Sequence, residues 1–576
     1  MSYHPAAAEA HTTFTIPSGT PDRVAETAVL GDVFATTRDG VRLGADVYTP
    51  VGLGAVPAIM LRVPYGRRTP DMGLDTVGEF FARKGYACVV QDVRGKFSSG
   101  GEFDPGVHEV DDSYDSVEWA VAQEWCDGSV GMWGESYYGA TSWAAAISGH
   151  EAVRCIAPGD IGVDRRRSWF RQGALLLNTT GYWAMAMDGR EYADVTRVDP
   201  YHLPLAEMAR AAGLEGRFYT QILEHAEDAA WWERRGLRLL LGRVTCPVLS
   251  WGGWYDNYIG PQLSDLAEVL ARHPHPETVH LLVGPWDHEG SAEHTDRAAC
   301  VRLPRTAGHR WDAYQAFFDR YLRGEDNGFG RDGNVEVFTI GRNAWQHVPA
   351  WPPPAMVATP LYLRAGGRLD VQPPTAGEEP DRYRYDPADP VDETVGRNCW
   401  ALCAALGDRR HLDGRTDILT YVSEPVPEDV ELTGPVTATL HAATSAIDTD
   451  FTIALCDVFA DGTVNPIQDG IVRARYRDGM DAPAPIEPGR VYAYEIDLFA
   501  TSYLVAAGHR IRVDVSSSCF DRYDRNPNTG LPLGRSATTV VADQAIHHGP
   551  GTPSCIRLPI VRPAAGWTRR LGLLLS

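Results

Sequence analysis

Residues 130–147 constrain this chain more than any other stretch. Val130-Gly131-Met132-Trp133 is an apolar run with the character of a buried strand, and residues 140–147 are small and apolar, as in a packed helix. Between them stand Gly134-Glu135-Ser136-Tyr137-Tyr138-Gly139. A strand and a helix joined this tightly force a sharp turn, and a serine at its apex is pushed out of the sheet with its hydroxyl exposed. Small flanking residues suit the turn because strand and helix nearly touch. The first amides of the helix then point toward any negative charge that develops beside the serine. The second glycine comes three residues after the serine, so the pattern is Gly-x-Ser-x-x-Gly. The rest of the chain has to supply the partners of a nucleophile.

Upstream, Asp39-Gly40 is a two-residue turn between residues 33–36 and 41–43, which reads as a hairpin. Residues 57–63 and 86–91 are buried-strand runs, with helical patterns at 76–85 and 111–124. Strands alternating with helices imply a mostly parallel sheet with crossover helices. Residues 1–28 read as irregular. From about 150 to 240 the text is helical, aromatic and Arg-rich without a strand signal, which predicts an inserted helical cap. Strand runs resume at 246–251 and 278–283. Beyond Trp351-Pro352-Pro353-Pro354, a linker, short alternating strands at 436–440, 493–498 and 510–515 predict a β-sandwich.

A chain of 576 residues exceeds one core and divides into several domains. The expected divisions are 1–150 and 241–352 for the two parts of an α/β domain, 151–240 for the cap and 353–576 for the sandwich. The net charge of −23 argues against nucleic acid and anionic membrane as partners. No apolar run reaches membrane-spanning length, and Met1-Ser2-Tyr3-His4 does not open a basic-then-apolar leader, so the expected location is cytoplasmic. Ten scattered cysteines read as reduced, mostly buried thiols. Cys399 and Cys403 have no second pair to complete a metal site, and His273, His275, His280 and His294 lack zinc-ligand spacing.

A serine nucleophile needs a general base, usually histidine, and an acid that orients the imidazole. In α/β-hydrolases these follow in the order Ser, Asp, His at the ends of later strands. Asp256 follows residues 248–251 through Gly252-Gly253-Trp254-Tyr255, and His288 follows residues 279–283 through Gly284-Pro285-Trp286-Asp287. Asp287 is the local rival to Asp256, but a residue adjacent to the histidine is badly placed to accept from its Nδ1.

With these residues assembled, the chain resembles the cocaine esterase family of serine hydrolases, which also includes α-amino acid ester hydrolases, glutaryl acylases and X-Pro dipeptidyl peptidases. The resemblance runs through Arg62-Val63-Pro64-Tyr65, Asp92-Val93-Arg94-Gly95, the Ser136 turn, Gly252-Gly253-Trp254-Tyr255-Asp256 and Gly284-Pro285-Trp286-Asp287-His288. It continues in the β region at Asp448-Thr449-Asp450-Phe451 and Asn526-Pro527-Asn528-Thr529-Gly530. It implies Ser136 as nucleophile, His288 as base and Asp256 as orienting acid, with the oxyanion held by the Tyr65 hydroxyl and the Tyr137 backbone N–H. It implies an acyl pocket lined by Trp169, Trp183 and Tyr258.

The expected fold is therefore an α/β-hydrolase with an inserted helical cap, followed by a C-terminal jelly-roll-like β-sandwich. The expected activity is hydrolysis of a small ester, amide or short peptide through an acyl-enzyme, with no metal or cofactor and the oligomeric state left open. An X-Pro-type peptidase or an acyltransferase on the same triad is the nearest alternative. A catalytically inert β-sandwich binding protein is the alternative of another class. Arg165-Arg166-Arg167 beside Trp169 has two readings, a receptor for a substrate carboxylate or a solvated helix face.

Overall fold

A computed structural model describes residues 16, 18–288, 306–375, 377–392 and 407–561. Two large sheets organise the described residues. The first is built from β1 (Thr27–Thr36), β2 (Arg42–Pro50), β3 (Val56–Val63), β4 (Ala87–Asp92), β5 (Cys126–Glu135) and β6 (Val153–Gly159). A small hairpin of β7 (Phe170–Arg171) and β8 (Ala174–Leu175) stands apart from it. The sheet continues through β9 (Val248–Gly253), β10 (Val279–Gly284), β11 (Val335–Thr339) and β12 (Ala344–Val348). Its order is β1-β2-β4-β3-β5-β6-β9-β10-β11-β12. The pairs from β4 through β11 are parallel, and antiparallel strands close both edges.

Both faces of this sheet are covered, as a parallel sheet requires. In β3, Ala58 and Met60 face one core while Ile59 and Leu61 face the other. The first core takes Ala140, Trp143 and Ile147 from the helix Ser136–Ser148, and Ile259 and Leu266 from the helix Ile259–Arg272. The second takes Phe80 and Phe81 from Leu74–Arg83, and Phe317 and Phe318 from Ala307–Arg323. The helix carrying Ser136 is therefore clamped beneath the sheet's centre, and its N-terminus is held fixed.

The cap differs from expectation at its start. Residues 153–159, assigned by sequence to the helical insertion, form β6 and pair with β5 and β9 at the centre of the sheet. Its apolar run is short and closes on Pro158-Gly159, residues that argue against a central strand. Pro158 is tolerated because it lies at the strand's end, opposite Gly134. After β6 come short helices at Arg165–Trp169, Tyr182–Ala186, Arg217–Glu224 and Ala229–Glu233, together with the β7–β8 hairpin.

The second sheet contains eleven strands among the described residues, paired antiparallel but for one contact between Arg368 and Val422. Its long strand Val430–Thr444 pairs with Tyr492–Val505. Asp381–Tyr385 and the first half of Tyr492–Val505 alternate buried and exposed residues, whereas Asp450–Val458 and Val464–Arg473 are buried almost throughout. Gln468 ties this sheet to the first by donating from Nε2 to the carbonyls of Trp254 and Ala500 at 2.8 and 2.9 Å. The Leu175 amide donates to Asp524 Oδ1 at 2.7 Å, so the β-rich half also braces the cap.

Among the described residues no helix is long and apolar enough to cross a membrane. Cys88, Cys126, Cys155, Cys246, Cys456, Cys519 and Cys555 are free thiols, six of them buried. Cys399 and Cys403 lie outside the described residues.

Candidate active site

β5 ends at Glu135 and the next residue begins the helix. Ser136 sits between them at φ +53°, a left-handed conformation that a non-glycine residue holds only under constraint. The constraint is visible at the two glycines. A Cβ on Gly134 would stand 2.3 Å from the Tyr138 carbonyl oxygen, and one on Gly139 would stand 2.7 Å from that of Gly159. Glycine at both positions lets strand, helix and β6 close together, and the closure holds Ser136 in its strained turn.

The ends of two later strands deliver its neighbours. His288, four residues past β10, places Nε2 3.0 Å from Ser136 Oγ. Its Nδ1 lies 2.5 Å from Oδ2 of Asp256, which stands three residues past β9. The other Asp256 oxygen accepts from the Tyr258 amide at 2.5 Å, so the carboxylate is held from both sides. Asp256 is fully buried and Ser136 is partly accessible. Burial opposes the imidazolium of His288, but the charge and hydrogen bond of Asp256 outweigh it and leave the histidine above its ordinary pKa. Asp256, rather than Asp287, is therefore the carboxylate on Nδ1.

Tyr65 follows β3, and its hydroxyl lies 3.5 Å from Ser136 Oγ. The Trp183 indole N–H donates to the same phenol oxygen at 3.3 Å. Burial raises the Tyr65 pKa, while its hydrogen bonds with Ser136, Trp183 and the Tyr137 amide pull it down, with the charge of Arg165 acting the same way. The net shift is upward, so the phenol keeps its proton and remains a donor. The Tyr137 side chain is buried: its hydroxyl donates to Glu109 Oε1 at 2.6 Å, and Glu109 pairs with buried Arg62 at 2.9 Å. This anchor fixes the Tyr137 backbone beside Ser136.

The three aromatic residues expected at the pocket gather here. Trp183 stacks on Tyr137 with centroids 5.8 Å apart, and Trp169 meets Trp183 at 5.6 Å. The Tyr258 ring lies 5.2 Å from that of His288. Two features were not visible in the sequence. The Trp183 N–H on Tyr65 joins a cap residue to the sheet, and nothing local to either residue encodes it. Asp160, at the end of β6, is a fully buried carboxyl with neither oxygen partnered among the described residues. Glu135, next to the serine, accepts from the Tyr138 hydroxyl at 2.6 Å. Burial raises its pKa against the pull of Arg310 and Tyr138.

Among the described residues no group of three His, Cys, Asp or Glu side chains could hold a metal ion. His273 contacts the Cys246 carbonyl at 3.0 Å and His280 the Tyr321 hydroxyl at 2.9 Å, so neither joins a cluster. His294 lies outside the described residues.

Residues 39–290 match the X-Pro dipeptidyl-peptidase (S15 family) model, and residues 327–557 match the X-Pro dipeptidyl-peptidase C-terminal non-catalytic domain. Cocaine esterase of Rhodococcus sp. strain MB1 Bresler is 36% identical, over 93% of this chain and 99% of that protein. The crystal structure of an aminopeptidase from a marine sediment Thaumarchaeota archaeon superposes with a TM-score of 0.84 at 26% identity, covering 97% of this chain and all of that one. An α-amino acid ester hydrolase superposes at 0.82 with 29% identity, covering 94% and 98%.

Proposed function

The chain belongs to the cocaine esterase (CocE/NonD) family of hydrolases, and from that premise we propose that it transfers a carboxylic acyl group to water through a covalent intermediate on Ser136. The observation that carries this reading is the unbroken line of hydrogen bonds from Asp256 through His288 to Ser136, 2.5 and 3.0 Å long.

The chemistry follows from that line. Ser136 Oγ attacks the substrate carbonyl while its proton passes to His288 Nε2. Asp256 holds the imidazole in the tautomer that leaves Nε2 free to accept, and stabilises the imidazolium once it forms. The carbonyl oxygen becomes an oxyanion, for which the Tyr65 hydroxyl and the Tyr137 amide are the donors. The Tyr65 oxygen already accepts from Trp183, which leaves its own O–H for the oxyanion. Collapse expels the alcohol or amine, which takes the proton from His288. Water then repeats the cycle on the acyl-enzyme and returns Ser136. Ester, simple amide and X-Pro peptide all fit this scheme, as does transfer to an acceptor other than water.

Partitioning of the intermediate tests the reading. Several esters of one acid with different leaving groups are hydrolysed in the presence of methanol. A shared acyl-enzyme gives one ratio of methyl ester to free acid for all of them, whereas direct attack by water gives a ratio that varies with the leaving group.

A further inference from the structure

Of the three consecutive arginines, two are accounted for. Arg166 donates to the Ala226 carbonyl at 2.9 Å, the Met480 carbonyl at 3.0 Å and Asp481 at 2.5 Å, which fixes the cap to the β-rich half. Arg167 is exposed. Arg165 is different: it is 5% exposed and packs against rings of the aromatic cluster around Ser136. Its guanidinium carbon lies 4.8 Å from the centre of the Tyr137 ring and 5.7 Å from that of Trp169. Among the described residues it has no carboxylate within ion-pair distance and no hydrogen-bond acceptor.

A buried cation without an anion is costly, and aromatic faces return part of that cost. The positive charge also reaches Tyr65 and Tyr258, one on the nucleophile and the other against His288. Glu109, the carboxylate nearest in the chain of contacts, is occupied by Arg62 and the Tyr137 hydroxyl. The guanidinium is thus a planar fork with its donors unused, set against the Tyr137 and Trp169 rings. A carboxylate matches that fork in shape and charge.

We propose that Arg165 receives a carboxylate carried on the acyl half of the substrate, so that the preferred substrates are mono-esters or mono-amides of dicarboxylic acids. The proposal rests on the hydrolase reading above. The acyl side is assigned because Arg165 covers the ring of the residue that follows the nucleophile, within the Trp169–Trp183–Tyr137 stack. The same charge disfavours acyl groups that carry an ammonium.

The test compares monoethyl glutarate with its neutral isostere ethyl glutaramate in a pH-stat. Wild-type enzyme is expected to favour the anionic ester by roughly 10- to 100-fold in kcat/KM, the range of a charge-assisted pair. Arg165→Met should bring the ratio to about one, and Arg165→Lys should leave an intermediate ratio. Free glutarate should inhibit the wild type more strongly than glutaramide, a readout that needs no variant. Equal turnover of the two esters by wild type overturns the proposal and leaves the hydrolase reading standing. A preference that survives in Arg165→Met overturns it too, since the anion would then be held elsewhere. A preference for 4-acetoxybenzoate over 4-acetoxybenzamide, with none on the glutaryl pair, overturns the acyl-side assignment. If neither ester turns over and Ser136 takes up no serine-directed probe, the hydrolase reading fails and the proposal falls with it.

Discussion

The Trp183 indole N–H donates to the Tyr65 phenol oxygen at 3.3 Å, joining a helix of the cap to the loop that leaves β3. A donor already seated on the oxygen leaves the phenol proton free to point at Ser136. The cap thus contributes to the orientation of the hydroxyl.

Tyr65→Phe isolates that hydroxyl. The ring is kept but the buried Trp183 N–H loses its acceptor, so folding stability should fall by about 1–3 kcal/mol. Loss of one oxyanion donor should lower kcat by about 10²–10³, with little change in KM, because the bond strengthens once charge has formed. Steady-state kinetics with a thermal melt as control measures both. A normal kcat with a lowered Tm would make Tyr65 structural.

Asp256→Asn should be crippling and Asp287→Asn comparatively mild. The amide at 256 favours the wrong imidazole tautomer, a loss on the order of 10⁴ in kcat. Asp287 is not the carboxylate on His288 Nδ1. Kinetics of the two variants side by side would expose a wrong assignment of the acid.

The rate should fall toward acid pH. His288 must be neutral to take the serine proton, and its folded pKa lies above the ordinary 6.5. The acidic limb of kcat/KM should therefore be half-lost above pH 6.5, and Asp256→Asn should move that limb downward. A profile flat to about pH 4.5, with the protein still folded, would remove histidine from the base role.

Asp160 should make the fold less stable as pH rises. Burial, followed by the nearby charges of Asp256 and Glu135, holds its carboxyl well above the usual 3.8. Above that pH the unfolded chain gives up a proton that the folded chain keeps, so unfolding gains with each unit of pH. The slope from this residue is up to about 1.4 kcal/mol per pH unit, until the folded pKa is passed. Asp160→Asn should flatten the pH dependence of the unfolding free energy, measured by denaturant titration, by that amount, and identical slopes would mean that Asp160 is ionised in the fold.

Much of this was legible in the sequence because the signals were local. The strand–glycine–serine–helix text of residues 130–147 forces a turn, and the turn is found at Ser136. Asp256 and His288 each follow an apolar strand, and the topology sets those strands side by side as β9 and β10. β6 was missed because a short run ending in Pro158-Gly159 gives no strand period. The three arginines could not be told apart by sequence: Arg166 is fixed by Ala226, Met480 and Asp481, residues remote in the chain, and Arg165 packs on Tyr137 and Trp169. The unpartnered carboxyl of Asp160 was invisible for the same reason, since burial is a property of the packed molecule.

The central claim is that Ser136 carries the acyl group, and labelling with a fluorophosphonate tests it most directly. Intact mass and peptide mapping should find one phosphonyl adduct per chain, located on Ser136, with activity lost in proportion to labelling. Ser136→Ala should take up no probe, keep the wild-type melt and lose essentially all turnover, and His288→Ala should label far more slowly. Undiminished activity after exposure, an adduct on another residue, or a Ser136→Ala enzyme retaining a tenth of wild-type turnover would contradict the account.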